Sequence, residues 1–194
     1  MFVDYLTVFM ADVVAGLGVL IAFVLKGLND SEKAKSFAPA FAAVGLLAIA
    51  TGLHMVLTWP LPGSHNIAFG EPFLLYGFVF LAAAIAVAKG WDLMPTTIFA
   101  LFAGIYAIIV GGSIIGYGMT RHPFTSGLGF IAAGLVGVLS PVVWKLRENK
   151  IIRFLGVVLL ALTLLLWFIT MYGSVTGHIN PQGSFGKWTP IPMR

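Results

Sequence analysis

The sequence contains no cysteine, which excludes disulfides, thiolate metal sites and cysteine nucleophiles together. It is also short of charge. Only 9% of its 194 residues are Asp, Glu, Lys or Arg, against about 25% in a soluble domain. So few charges cannot cover a water-facing surface. The opening stretch "MFVDYLTVFMADVVAGLGVL" lacks a basic segment and carries Asp4 and Asp12, so it reads as a retained first span and not as a cleaved signal peptide. Several signatures of chemistry are missing as well. There is no G-x-S-x-G elbow, no phosphate-binding loop and no dinucleotide fingerprint; the glycine-rich "GGSIIGYG" falls inside an apolar run and does not follow a strand.

What the chain has in abundance is apolar surface. Hydrophobic residues make up 59% of it, and the mean hydropathy is +1.00. Runs near 20 residues recur, the length that crosses a hydrocarbon core of about 30 Å. Spans are expected at residues 4–25, 37–59, 72–88, 95–117, 125–144 and 150–172. The breaks between them are charged ("KGLNDSEKAKS", "KLRENK") or rich in proline ("WPLPGSHNIAFGEP"), and proline is disfavoured in helix interiors. Asp92 is placed to cap the helix that opens at Pro95, and Thr125 or Ser126 to cap the next. The fold class is therefore all-α: a polytopic membrane helix bundle with six transmembrane helices. Residues 1–172 form the bundle, and residues 173–194 form a C-terminal tail outside the membrane.

The net charge of +4 is a topological signal and does not point to nucleic acid. Lys26, Lys33, Lys35, Lys89, Lys145, Arg147, Lys150 and Arg153 fall on one side of the spans, whereas Arg121, Lys187 and Arg194 fall on the other. Basic loops stay in the cytoplasm, so both termini are expected on the extracytoplasmic face of a prokaryotic inner membrane. Trp59, Trp167 and Trp188 then lie near the outer interface, and Trp91 and Trp144 near the inner one. Small residues four apart, as in Gly129, Ala133 and Gly137, in Gly112 and Gly116, and in Gly18 and Ala22, are expected to let helices approach closely. No tandem repeat is evident at this level.

All four histidines, His54, His65, His122 and His178, belong to the outer half. His54 lies roughly 8 Å inside the boundary marked by Trp59, at 1.5 Å per residue, and Asp12 is at a comparable depth. Ionisable groups inside a span are costly and face partners or cavities, which makes an Asp12–His54 hydrogen bond the first expectation. Imidazole ligates haem iron, copper and zinc, and its second nitrogen takes an orienting carboxylate. On that basis the candidate cofactor residues are His54, Asp12, His122, His178 and Arg121, with Arg121 facing a haem propionate. A surface metal would use His54, His65, Glu71, His122 and His178. Glu71, just before Pro72, also fits a helix start without any further role. No H-E-x-x-H, H-x-x-E-H or i, i+4 histidine pair occurs, so such a site would be assembled from separate helices.

The string "GLHMVLTWPLPGSHNIAFGEP", with "FVDYLTVFMADVVAGL" and "GLGFIAAGLVGVL", resembles a family of prokaryotic multi-helix membrane proteins known only as a domain of unknown function. The resemblance covers nearly the whole chain and implies one membrane domain with no transferable activity. With no histidine in the inner half, any haem would sit on the outer side, and transmembrane electron transfer through two stacked haems is disfavoured. The leading expectation is a protein of the lipid bilayer that binds haem b, or copper or zinc, for redox chemistry or electron transfer, with a quinone as a possible partner. The alternatives are a non-catalytic subunit of a homo-oligomer or larger membrane complex, and a proton-coupled transporter that uses Asp12 and His54.

Overall fold

The computed structural model describes residues 6–183 and residue 186. Asp4, Phe185, Lys187, Trp188 and Arg194 lie outside them. The described residues form seven helices, α1 (Leu6–Lys26), α2 (Ser31–Ser36), α3 (Ala38–Thr58), α4 (His65–Lys89), α5 (Met94–Tyr117), α6 (Pro123–Lys145) and α7 (Lys150–Ile179). All but α2 are long and apolar enough to cross a membrane. Lys26, Lys89, Lys145 and Lys150 terminate or begin helices at one end of the bundle, and the histidines gather at the other. These are called the basic end and the histidine end below.

Two boundaries differ from the sequence reading. Helix α4 begins at His65 and carries Pro72 inside it. Transmembrane helices tolerate such a proline because neighbouring helices compensate for the lost backbone bond. Helix α7 runs to Ile179, so residues 173–179, assigned above to the tail, continue the helix. Its 30 residues extend about 45 Å at 1.5 Å per residue, well beyond a hydrocarbon core.

The caps are partly as expected. Asp92 Oδ1 accepts from Met94 N at 3.1 Å and also from Trp144 Nε1 at 2.9 Å. Helix α6 instead starts at Pro123 with His122 before it and no side-chain cap. The charged first loop contains α2, whose N-cap Asp30 accepts from Lys33 N at 3.1 Å and pairs with Lys33 Nζ at 2.8 Å. The hydrogen bond from the Lys33 side chain holds the Asp30 carboxyl below its ordinary range, and the same bond raises the Lys33 ammonium.

The spanning helices close into a ring. Each packs on two neighbours, in the order α1, α3, α4, α5, α6, α7 and back to α1, and the tightest contacts are within α3–α4 and α5–α6. Both of these hairpins use the same glycine frame. In α3–α4, a Cβ on Gly45 would lie 3.0 Å from Gly77 O, and one on Gly52 would lie 3.2 Å from Gly70 O. In α5–α6, a Cβ on Gly111 would lie 2.6 Å from Gly127 O, and one on Gly134 would lie 2.5 Å from Gly104 O. Each helix carries its two glycines seven residues apart, two turns along one face.

This corrects the expectation of no repeat. "GLLAIATG" (45–52) matches "GIYAIIVG" (104–111), and "GEPFLLYG" (70–77) matches "GLGFIAAG" (127–134). The outer helices α7 and α1 form a third antiparallel pair that closes the ring. The four-residue stripes hold in part: a Cβ on Gly137 would lie 2.5 Å from Ala100 O, so Gly137 does bring α6 against α5. Cβ atoms on Gly112 and Gly116 would meet nothing within 4 Å, so that stripe faces outward, while Ala133 lines the interior.

Candidate functional site

The ring surrounds a cavity of about 490 Å³, within the range of about 300–1,000 Å³ typical of ligand sites. It extends from Phe9, Phe130 and Trp167 towards the histidine end to Leu28, Leu93, Trp144 and Ile152 at the basic end. Helices α1, α4, α5, α6 and α7 each contribute a face, and α3 contributes Phe41.

The repeat explains part of this lining. Phe73 and Phe130 occupy the same position in the two G-x-x-F-x-x-x-G segments, each held inward because its flanking glycines bring the helix against its hairpin partner. Two bulky positions of α4 that line the cavity, Tyr76 and Phe80, recur on α6 as Ala133 and Gly137. Smaller side chains on α6 therefore leave the space that α4 fills.

Aromatic rings narrow the histidine end of the cavity. Phe9 stacks on Phe73 with centroids 3.4 Å apart, and Trp167 packs on Phe130 at 5.2 Å. Trp167 is 6% exposed, and its Nε1 donates to Gly129 O at 3.0 Å. It is thus turned into the bundle and away from lipid. The indole satisfies its one donor on a neighbouring helix, which fixes its ring as part of the cavity wall.

Polar groups within the spans are few. Tyr76 lines the cavity, and its hydroxyl donates to Asp12 O at 3.4 Å. Gly16, one turn beyond Asp12, makes room for that hydroxyl, since a Cβ there would overlap it. Asp12 is buried, and its Oδ2 has no hydrogen-bond partner among the described residues. Tyr106 donates to Glu71 Oε2, tying α4 to α5. Glu71 therefore sits in the second turn of α4 and not at a helix start.

The histidines share an end without sharing a site. The expected Asp12–His54 hydrogen bond is not formed. His54 is on an exposed face of α3 with Nδ1 3.0 Å from Thr58 Oγ1, whereas Asp12 is turned into the bundle. His65 has Nδ1 2.9 Å from Pro62 O and Nε2 2.8 Å from Met119 O, so it joins the two loops of the histidine end. His122 and Arg121 are exposed ahead of α6, and His178 is in the last turn of α7. Among the described residues no three His, Asp or Glu side chains come together as a metal ion would require, and no histidine lines the cavity. Tyr117, the last residue of α5, is 83% exposed.

The distinctive "TWPLPGSHNIAFGE" segment has a structural explanation. Asn66 is fully buried. Its Oδ1 accepts from Leu61 N at 2.8 Å, and its Nδ2 donates to Leu61 O and Gly63 O. One side chain thereby satisfies a proline-rich turn that has few backbone donors of its own.

The family model described as "Protein of unknown function (DUF981)" matches residues 1–181. The chain belongs to that family. No curated protein and no solved structure matches it. The matched residues take in all six spanning helices and the entire cavity lining.

A second, smaller space lies at the basic end. It measures about 210 Å³ and is lined by Val24 and Leu25 of α1 and by Lys150, Arg153, Phe154 and Val157 of α7. Val24 also lines the central cavity, so the two spaces adjoin at the α1–α7 seam. The lining residues of both were missed in the sequence because an apolar face turned to a cavity looks the same as one turned to lipid. The one available signal was the repeated G-x-x-F-x-x-x-G.

Proposed function

We propose that this protein holds one long apolar molecule, a lipid or an isoprenoid, inside its helix ring. It does so in the cytoplasmic membrane of a prokaryote, with the basic end inside. The observation that carries this reading is the cavity of about 490 Å³ running between the two ends of the ring with an almost wholly apolar lining. A site of that chemistry selects for chain length and shape and offers few groups for bond making. A quinone with its isoprenoid tail belongs to this class of ligand.

The test is to purify the protein in mild detergent and identify what remains bound by native mass spectrometry and solvent extraction. One apolar molecule per chain is expected, and Ala133→Phe, which puts a ring into the cavity, is expected to displace it. A wild-type preparation with nothing bound overturns the reading, as does equal occupancy in the filled variant. The absorption spectrum of the same sample tests the haem reading. A Soret band that shifts on reduction and is lost in His54→Ala or His122→Ala would replace a lipid ligand with haem, and elemental analysis does the same for copper and zinc.

Self-association is a second reading. It is favoured by Gly112 and Gly116, which present a small-residue stripe on the outward face of α5, the pattern by which membrane helices pair. Gly112→Leu would then convert the oligomer to monomer in a mild detergent.

A further inference from the structure

We infer that the bound molecule is an anionic lipid whose phosphate headgroup sits between Lys150 and Arg153 at the α1–α7 seam. This rests on the reading of the central cavity as a site for an apolar chain. The crevice that holds the two cations adjoins that cavity at Val24, which lines both. The rest of its lining, Leu25, Phe154 and Val157, is apolar. A ligand that fills both spaces must therefore be charged at one end and apolar along its length.

The sign of the charge follows from the side chains. Lys150 and Arg153 are three residues apart and share a face of α7. The ion pairs among the described residues are Lys33–Asp30 and Lys35–Glu32, so neither crevice cation is neutralised by a carboxylate. No acidic side chain lines the crevice. Glu148 lies nearby in sequence, but it is approached by Asn29 Nδ2 at 3.4 Å and stands outside the lining.

The first amides of α7 are also occupied, because Asn149 Oδ1 accepts from Ile151 N and Ile152 N. Anion recognition here thus falls to the two side chains. Arginine offers a planar fork that matches two phosphate oxygens, and lysine adds a compact charge. Basic pockets between membrane helices at the cytoplasmic side take anionic headgroups in this way.

The experiment compares the wild-type protein with Lys150→Gln/Arg153→Gln. Each is reconstituted in phosphatidylcholine nanodiscs containing a minor share of phosphatidylglycerol, then stripped in mild detergent and assayed for retained lipid by mass spectrometry and phosphorus content. The wild type is expected to retain about one phosphatidylglycerol per chain, and the double variant to bind it roughly tenfold more weakly. Each single variant should lose several-fold. The swap Lys150→Arg/Arg153→Lys keeps both charges and should keep most of the binding, which separates charge from folding. Equal retention by wild type and double variant overturns the inference. So does a retained molecule without phosphorus, such as a quinone, although the apolar-cavity reading then stands. An empty wild-type protein overturns both.

Discussion

A methyl carbon built on Gly134 would lie 2.5 Å from the carbonyl oxygen of Gly104, and one built on Gly104 would collide with the Gly134 carbonyl in return. The two backbones touch with no side chain between them, so α5 and α6 cannot accept a Cβ at either position without separating. Gly134→Ala is expected to lower stability by about 1–3 kcal/mol, the usual range for overpacking a closed contact. Gly112→Ala, on the open face of α5, serves as the control and should be near neutral. Thermal unfolding in detergent measures both. Equal melting temperatures for the two variants would show that the glycine frame does not hold the hairpin.

How much of this was readable beforehand depends on the length scale involved. Six spans follow from hydropathy alone, and the clustering of His54, His65, His122 and His178 at one end follows from counting helices. The start of α4 does not follow, because Pro72 reads as a helix breaker while α4 accommodates it inside the bundle. The Asp12–His54 pair failed for a related reason. Equal depth places two residues at one level of the membrane, but the direction each faces is set by which helices are neighbours. Asp12 faces inward and His54 outward. The repeat was present in the residues all along, spaced at seven instead of the four expected for small-residue packing.

Gly16 and Tyr76 give a prediction of coupling. The Tyr76 hydroxyl occupies the place where a Gly16 Cβ would stand, and Phe80 and Val44 close the space around it at 3.0 Å. Gly16→Ala alone should be destabilising by about 1–3 kcal/mol. In a Tyr76→Phe background the clash is relieved, so the cost of Gly16→Ala should fall by at least half. Residues in direct contact couple in this way, whereas independent sites add. Additive losses in the four proteins of the cycle would mean that the hydroxyl moves aside freely.

Asn66 carries the turn between α3 and α4. Asn66→Ala leaves the Leu61 N–H and the Leu61 and Gly63 carbonyls without their side-chain partner, at a cost of about 1–3 kcal/mol. The effect should be local. Limited proteolysis is expected to cut between Trp59 and Ser64 in the variant and not in the wild type, while the melting of the spanning helices changes less. Unchanged protease resistance would indicate that His65, bonded to Met119 O, is enough to keep the turn closed.

The Glu71–Tyr106 hydrogen bond joins the two glycine hairpins across a seam with far fewer contacts than either hairpin has internally. Close packing cannot hold α4 to α5 as it holds α3 to α4, so a larger share of the work falls to this polar tie. Tyr106→Phe removes the donor and should lower stability by about 1–2 kcal/mol, the upper range measured for hydrogen bonds between membrane helices. Glu71→Gln keeps an acceptor oxygen for the hydroxyl and should lose less. The double variant Glu71→Leu/Tyr106→Phe, with both polar groups gone, should be more stable than Glu71→Leu alone, because no half-buried hydroxyl is left without its partner. If the two single losses simply sum, the hydroxyl and the carboxylate do not depend on one another, and the hairpins are held together by the aromatic contacts at the histidine end instead.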